Sequence, residues 1–242
     1  MEFKTNAIML RAIDYKDNDK LLTLFTPTRG KVVTGIRGVK KPKAKLAFCA
    51  QPFAFCEYVL AEKNGRYTVT SAYLYDGFYG LRTDIERYYS ACAVLEICNA
   101  LLMEEESAEG TFIACVEALK ALSMTSDDSA EILLTFALRA LFEAGYPVNL
   151  DGCGLCGADV SQTPYFDFEL GTFTCSNCTQ GERASRSTYE VLRKCDGLEY
   201  DETASQEGKK RALRLIKVYL SEKTEEDYPC FGEFLRLYDQ AL

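Results

Sequence analysis

The chain contains no histidine among its 242 residues. That absence removes Ser-His and Cys-His nucleophile pairs, HExxH metal chemistry and imidazole proton shuttles. Any catalytic reading would have to use a lysine or a carboxylate as base. No apolar run approaches the roughly 18 residues that span a bilayer. The opening MEFKTNAIMLRAIDYKDND lacks the basic start and apolar core of a secretory leader. No GxxxxGK phosphate loop occurs, which argues against ATP-driven motion. These absences lead to the expectation of a soluble, cytosolic protein whose thiols stay reduced.

What is present fits a globular chain of one to three compact units, with 48% hydrophobic and 26% charged residues. Cysteine is plentiful, at 11 residues. Seven of them, Cys49, Cys56, Cys92, Cys98, Cys115, Cys195 and Cys230, are scattered in mostly apolar surroundings and read as small core hydrophobes. The other four form two CxxC pairs, Cys153-Gly-Leu-Cys156 and Cys175-Ser-Asn-Cys178. Two such pairs fit disulfides, a redox couple or a metal cage. A reducing compartment disfavours disulfides. A thioredoxin-like couple needs a CxxC opening a helix in a βαβ unit, and neither pair has that context. The spacing of the two knuckles matches a four-cysteine zinc site. Between them, Tyr165-Phe-Asp-Phe-Glu-Leu-Gly-Thr-Phe173 alternates aromatic and polar residues around Gly171, the pattern of a short hairpin carrying the second knuckle. Four thiolates leave no open coordination position, so Cys153, Cys156, Cys175 and Cys178 are expected to hold structural, not catalytic, Zn2+.

Residues 1–80 read as strands. Short apolar or β-branched runs lie at Ala7–Leu10, Lys20–Phe25, Lys31–Thr34, Pro52–Leu60 and Arg66–Thr70. They are separated by turn signals at Asp17-Asn-Asp19, Pro27-Thr-Arg-Gly30 and Asn64-Gly65. Five closely spaced strands predict an OB-type barrel. The Asp14, Asp17, Asp19 cluster lacks the glycine and final glutamate of a calcium loop and reads as a hydrated turn.

Charge is unevenly spread. Residues 1–80 hold 13 Lys and Arg against 7 Asp and Glu, a net of +6, while the rest of the chain carries −14, within an overall −8. Arg29, Lys31, Arg37, Lys40, Lys41, Lys43 and Lys45 fall in one acid-free stretch. Gly35, Gly38 and Pro42 give that stretch the look of a partly mobile loop. A charge run alone is usually a solvated face. A local cationic stretch on an acidic protein is not explained by solubility, and clustered Lys and Arg are rewarded on phosphate backbones by counterion release. These seven residues are the candidate DNA contacts.

Beyond residue 80 the period becomes helical. Helices are expected at Ile85–Met103, Thr111–Met124, from a cap within Ser126–Ser129 to Gly145, and at Ser187–Lys194, Gln206–Ser221 and Cys230–Asp239. The third is apolar on most sides and should sit centrally. The expected architecture is multidomain α+β. An N-terminal OB-fold barrel (1–80) precedes an all-α domain (81–150 and 181–242), which is interrupted by a four-cysteine zinc-ribbon-like insertion (151–180). A hairpin that small cannot bury its own core, so a metal ion would supply the missing stability.

The order of these pieces resembles one family, the bacterial recombination mediator RecO. The resemblance runs through Ala7-Ile-Met-Leu-Arg-Ala-Ile-Asp-Tyr-Lys-Asp-Asn-Asp19, Leu24-Phe-Thr-Pro-Thr-Arg-Gly-Lys31, Gly35-Ile-Arg-Gly-Val-Lys-Lys-Pro-Lys43, Gln51-Pro-Phe53, Ala140-Leu-Phe-Glu-Ala-Gly-Tyr-Pro147 and the paired CxxC unit. It implies a non-enzymatic cytoplasmic, nucleoid-associated protein of DNA repair. Such a protein binds single- and double-stranded DNA and anneals strands coated with single-strand binding protein. It grips the acidic tail of that protein through its helical domain, and works with RecR to load RecA. Two other readings stay open from the residues themselves. One is a zinc-stabilised protein–protein adaptor without significant DNA affinity, favoured by the −14 outside the barrel. The other is a carboxylate-based metal nuclease, for which no acidic pair beside a lysine stands out.

Overall fold

Five strands close on themselves at the N-terminal end of the computed structural model, which describes residues 2–124, 128–160, 162–178, 181–198 and 205–240. They are β1 (Glu2–Tyr15), β2 (Asp19–Thr26), β3 (Gly30–Ile36), β4 (Phe55–Lys63) and β5 (Arg66–Asp76), in the barrel order β1-β2-β3-β5-β4. All pairs are antiparallel except β3 with β5, which meet in parallel through Thr34–Tyr67 and Gly35–Thr68. This is the OB-type barrel the turn signals predict. Two strands run well past the apolar segments that mark them. The polar start of β1 pairs with β4 (Glu2 opposite Ala61), and its end pairs with β2 (Tyr15 opposite Asp19). β4 begins at Phe55, not Pro52, because Phe53 sits at φ 67° and breaks the extended path.

Period-2 alternation gives the barrel two apolar faces. Ala7, Met9, Leu22, Leu24 and Val32 point into its own core with Tyr58 and Leu60. Ile8 and Phe25, opposite each other in register, point outward yet are fully buried, because they belong with Phe53 to the core of the helical body. Burying each such side chain contributes about 1.5–3 kcal/mol.

Among the described residues six α-helices follow: α1 (Ile85–Leu101), α2 (Glu109–Met124), α3 (Ser129–Glu143), α4 (Arg186–Cys195), α5 (Gln206–Thr224) and α6 (Pro229–Gln240). Side-chain caps start four of them. Asp84, Asp128, Ser185 and Ser205 accept from backbone N–H groups of α1, α3, α4 and α5 respectively. The cap expected within 126–129 is thus Asp128, while Ser126 lies outside the described residues. α3 touches α1, α2, α4 and α5, the central position its nearly all-round apolar surface requires. Gly145, at φ 83°, ends it with an N–H to the Phe142 carbonyl.

Between α3 and α4 lies a small sheet of β6 (Tyr165–Asp167), β7 (Thr172–Thr174) and β8 (Glu182–Arg183), in the order β7-β6-β8. Phe166 and Phe173 leave its face and pack edge-on against each other at 5.0 Å, Phe166 also against Tyr219 and Phe173 against Tyr189. The sheet's apolar content therefore belongs to the helical core. The third strand lies past residue 180.

Barrel and helices are joined by main chain as well as side chains. Lys31 N–H donates to the Met103 carbonyl (3.1 Å), Glu105 N–H to Arg29 (3.0 Å) and Ala108 N–H to Pro27 (2.8 Å). Gly30 makes this approach possible. Its φ is 53°, and a Cβ there would stand 2.2 Å from the Met103 carbonyl oxygen.

A candidate nucleic-acid groove and a four-thiol cluster

The sequence places seven cations in one run; the barrel divides them. Arg29 and Lys31 stand at the start of β3, beside the helices, and Arg37 through Lys45 follow its end. At about 3.3 Å per residue the strand separates the two groups by roughly 20 Å. Lys31 donates its Nζ to the Asn99 carbonyl at 2.9 Å, near the C-terminus of α1, a favoured position for a cation. Arg29 lies over the Phe3 ring (4.6 Å) and donates to the Tyr67 hydroxyl (3.2 Å). Both are half-buried and bound to the protein itself.

Arg37, Lys40, Lys41, Lys43 and Lys45 are exposed and close together along the connection from β3 to β4. This connection is a series of tight turns. Lys41 N–H bonds to the Gly38 carbonyl, and Ala44 N–H to that of Lys41. Val39 is buried in the barrel core and anchors the turn series. The acidic turn between β1 and β2 holds it from outside, with Asp19 Oδ1 accepting from Gly38 N–H at 2.8 Å and the Asn18 carbonyl from Lys40 N–H at 3.1 Å. Asp14 accepts from Lys40 Nζ at 2.6 Å, and that bond holds its carboxyl below the usual range. Two members of the acidic cluster therefore fasten the basic loop. Among the described residues Arg37, Lys41, Lys43 and Lys45 have no ion pair.

Beside them a groove of about 490 Å³ opens where β3 and β5 meet in parallel. Its walls come from the β1–β2 turn (Tyr15, Lys16), the β2–β3 face (Lys20, Val33), Arg37, and the β4–β5 turn (Arg66, Tyr67). Strands 2 and 3 with these two turns are the surface by which OB folds take oligonucleotides. Lys16, Lys20 and Arg66 were missed from sequence, because they sit apart from the cationic run. The signal that could have found them was the pair of hairpin turns, 16–18 and 64–65, which OB topology brings to one rim.

The four CxxC thiols converge. Cys153, Cys156, Cys175 and Cys178 have sulfurs within 4.8 Å of one another, and Cys156 Sγ is 3.7 Å from Cys175 Sγ. A tetrahedron with metal–sulfur bonds of about 2.3 Å has edges of roughly 3.8 Å. The knuckles are tied locally, with Gly157 N–H to the Cys153 carbonyl (2.8 Å) and Cys178 N–H to that of Cys175 (3.1 Å). The first is set against β7 by the bond from Gly154 N–H to Phe173 (2.9 Å). Desolvation works to raise the Cys153 thiol. Backbone N–H groups of Cys175, Leu155 and Cys156 aimed at its sulfur outweigh this and bring it down to about 6. Cys178 is pushed up to about 12 by the crowding of Cys156 and Cys175. A sulfur prepared as thiolate beside one that cannot ionise in such company is the donor set a soft cation resolves. The residues fit a metal ion.

An OB-like barrel in front of a helical body that carries a four-thiol cluster defines the class. No helix among the described residues is long and apolar enough to cross a membrane. Residues 1–78 match the family model for the recombination protein O N terminal, and residues 82–229 that for the recombination protein O C terminal. The chain is 32% identical to the DNA repair protein RecO of Clostridium novyi (strain NT) over 79% of its length and 75% of the relative's. It is 28% identical to that of Syntrophomonas wolfei over 96% and 89%, and 29% identical to that of Myxococcus xanthus over 87% and 84%. The chain belongs to the recombination protein O family.

Proposed function

We propose that this chain is a non-enzymatic DNA repair mediator that binds single- and double-stranded DNA and anneals complementary strands. It would load the RecA recombinase, together with RecR, onto strands coated with single-strand binding protein. The observation that carries this reading is the groove at the β3–β5 junction, flanked by unpaired Arg37, Lys41, Lys43 and Lys45. Annealing needs the repulsion between two phosphate backbones to be screened, and it needs no covalent chemistry. Cations do the screening by displacing counterions. Tyr15 and Tyr67 offer ring faces or edges to unstacked bases. Of the seven residues first singled out, Arg37, Lys40, Lys41, Lys43 and Lys45 contact phosphate in this proposal. Arg29 and Lys31 support the joint to the helices instead.

The acidic tail of the single-strand binding protein would suit a second groove, of about 470 Å³, beside the small sheet. Arg183, Arg211 and Arg214 rim it and Phe168, Leu215 and Val218 line it. Zn2+ is the ion proposed for the four thiols, with a structural role, since all four positions are protein sulfur. The units are proposed as a barrel over 1–80, a helical domain over 81–150 and 181–242, and a metal unit over 151–180.

The test is annealing of complementary oligonucleotides, with and without single-strand binding protein, beside a gel shift on single-stranded DNA at low salt. Accelerated annealing is the expected result. Absence of any shift at low salt would overturn the reading in favour of a protein–protein adaptor.

A further inference from the structure

Seven cysteines lie outside the metal cluster, and the fold does not treat them alike. Cys49 and Cys56 are enclosed in the barrel, where burial pushes their thiols up to about 12 and about 11. Cys98 meets Cys115 in the helical core, both fully buried, and burial drives Cys98 far above its ordinary value. Such thiols are inert. Cys92 and Cys230 differ. Both are half-buried, and both line an open cavity of about 490 Å³ between α1, the start of α6 and β1.

α1 presents Tyr88, Cys92 and Glu96 at four-residue spacing, one stripe on one face. All three line the cavity. Glu96 accepts from the N–H groups of Cys230 (2.9 Å) and Phe231 (3.1 Å), which fixes the first turn of α6 over this stripe. Cys230 is thereby held on the cavity wall that Cys92 and Glu96 also line. The neighbouring Cys230 and, more weakly, Tyr88 lower the Cys92 thiol despite burial and the nearby Glu96 charge. Cys230 is raised by Cys92, by burial and by Glu96. The carboxylate has also taken the N–H groups of the α6 terminus that would otherwise favour a Cys230 thiolate.

We propose that Cys92 and Cys230 form a thiol–disulfide exchange site, in which Cys92 attacks a low-molecular-weight disulfide and Cys230 resolves the product. The Cys92 thiolate attacks one sulfur of the small disulfide. That S–S bond breaks, and one small thiolate departs and takes up the proton Cys92 has lost. Cys230 then gives its proton to Glu96 and attacks the Cys92 sulfur. The second small thiolate leaves and collects that proton. Two protein thiols are oxidised to one disulfide, and one small disulfide is reduced to two thiols. The new bond ties the C-terminal helix to α1, and a small thiol in excess reverses it.

The test uses full-length, metal-loaded protein incubated with oxidised glutathione and mapped by peptide mass spectrometry. The wild type is expected to lose two hydrogens as a Cys92–Cys230 cross-link and to retain no adduct. Cys230→Ser should retain one glutathione on Cys92, and Cys92→Ser should acquire none at Cys230. A pulse of iodoacetamide on the wild type provides a readout that does not depend on the variants folding. Cys92 should alkylate at least about tenfold faster than Cys49 or Cys98. An unmodified Cys92 in the Cys230→Ser protein, a first adduct at another cysteine, or alkylation of Cys92 no faster than the buried thiols would each overturn the proposal.

Discussion

The barrel and the small sheet are both antiparallel for the most part, yet they are held by different means. The barrel closes on itself and encloses its own core, from Ala7 to Val69. The small sheet has strands of three, three and two residues, and its buried rings, Phe166 and Phe173, are part of the helical core. A closed sheet supplies its own partners for backbone and side chain. An open one this short depends on what lies beside it, here four thiols on one side and two tyrosines on the other.

The sharpest way to break this comparison is to remove the metal ligands. Cys175→Ser, or strong chelation, should release one metal equivalent and expose residues 150–183 to proteolysis, while the amides of β1–β5 keep their exchange protection. The loss draws on binding free energy on the order of 10 kcal/mol. Acidification should act in the same direction, since thiols must be deprotonated to bind. Loss of barrel protection together with the metal unit would show that the two are not independent.

Next in size is Gly30→Ala, which tests the joint. The added methyl meets a carbonyl at a positive φ, and a cost of about 3 kcal/mol is expected as a lowered Tm. A third change separates binding from stability. Lys41, Lys43 and Lys45 changed together to Glu should weaken single-stranded DNA binding at low salt about tenfold or more and flatten the salt slope by about 2, with Tm unchanged. Unaltered affinity would remove the turn series from the DNA surface.

The smallest effect is expected between α3 and α5. There Lys209 bridges Asp128 and Glu131 at 2.6 and 2.8 Å, and Lys194 reaches Glu131 at 2.7 Å. Burial raises the Glu131 carboxyl, but the two lysines outweigh it and the net shift is downward. A carboxylate lowered in the folded state contributes stability above its unfolded pKa and loses it as pH falls through the folded value. Glu131→Gln should therefore lower Tm modestly at neutral pH and lose less on acidification, so that its Tm–pH curve converges with that of the wild type below the folded value.

Much of this was legible in the residues. Turn pairs such as Asn64-Gly65 marked the barrel strands, and the shift to four-residue spacing marked the helices. The two CxxC knuckles named their own partners, because a four-thiol cluster of this kind is encoded in residue type and spacing. The groove was less legible. Its cations come from turns some fifty residues apart, joined by a parallel β3–β5 contact that no local pattern announces. Nor could a run of charge say that Lys31 would turn inward to the end of α1, or that Arg29 would stack on Phe3. Those fates were decided by what tertiary packing put within reach. The Asp14–Asp19 turn read as merely hydrated because its partner, the basic loop, is distant in sequence from it.

The stitching of residues 27–31 to 103–108 has a mechanical corollary. On the proposed DNA reading, a pull on a strand in the groove would pass through β3 into the segment joining α1 to α2, which main-chain bonds tie directly to residues 27–31. The molecule should respond to tension as one stiff lever, so that work done on the nucleic acid at one end reaches the helices at the other.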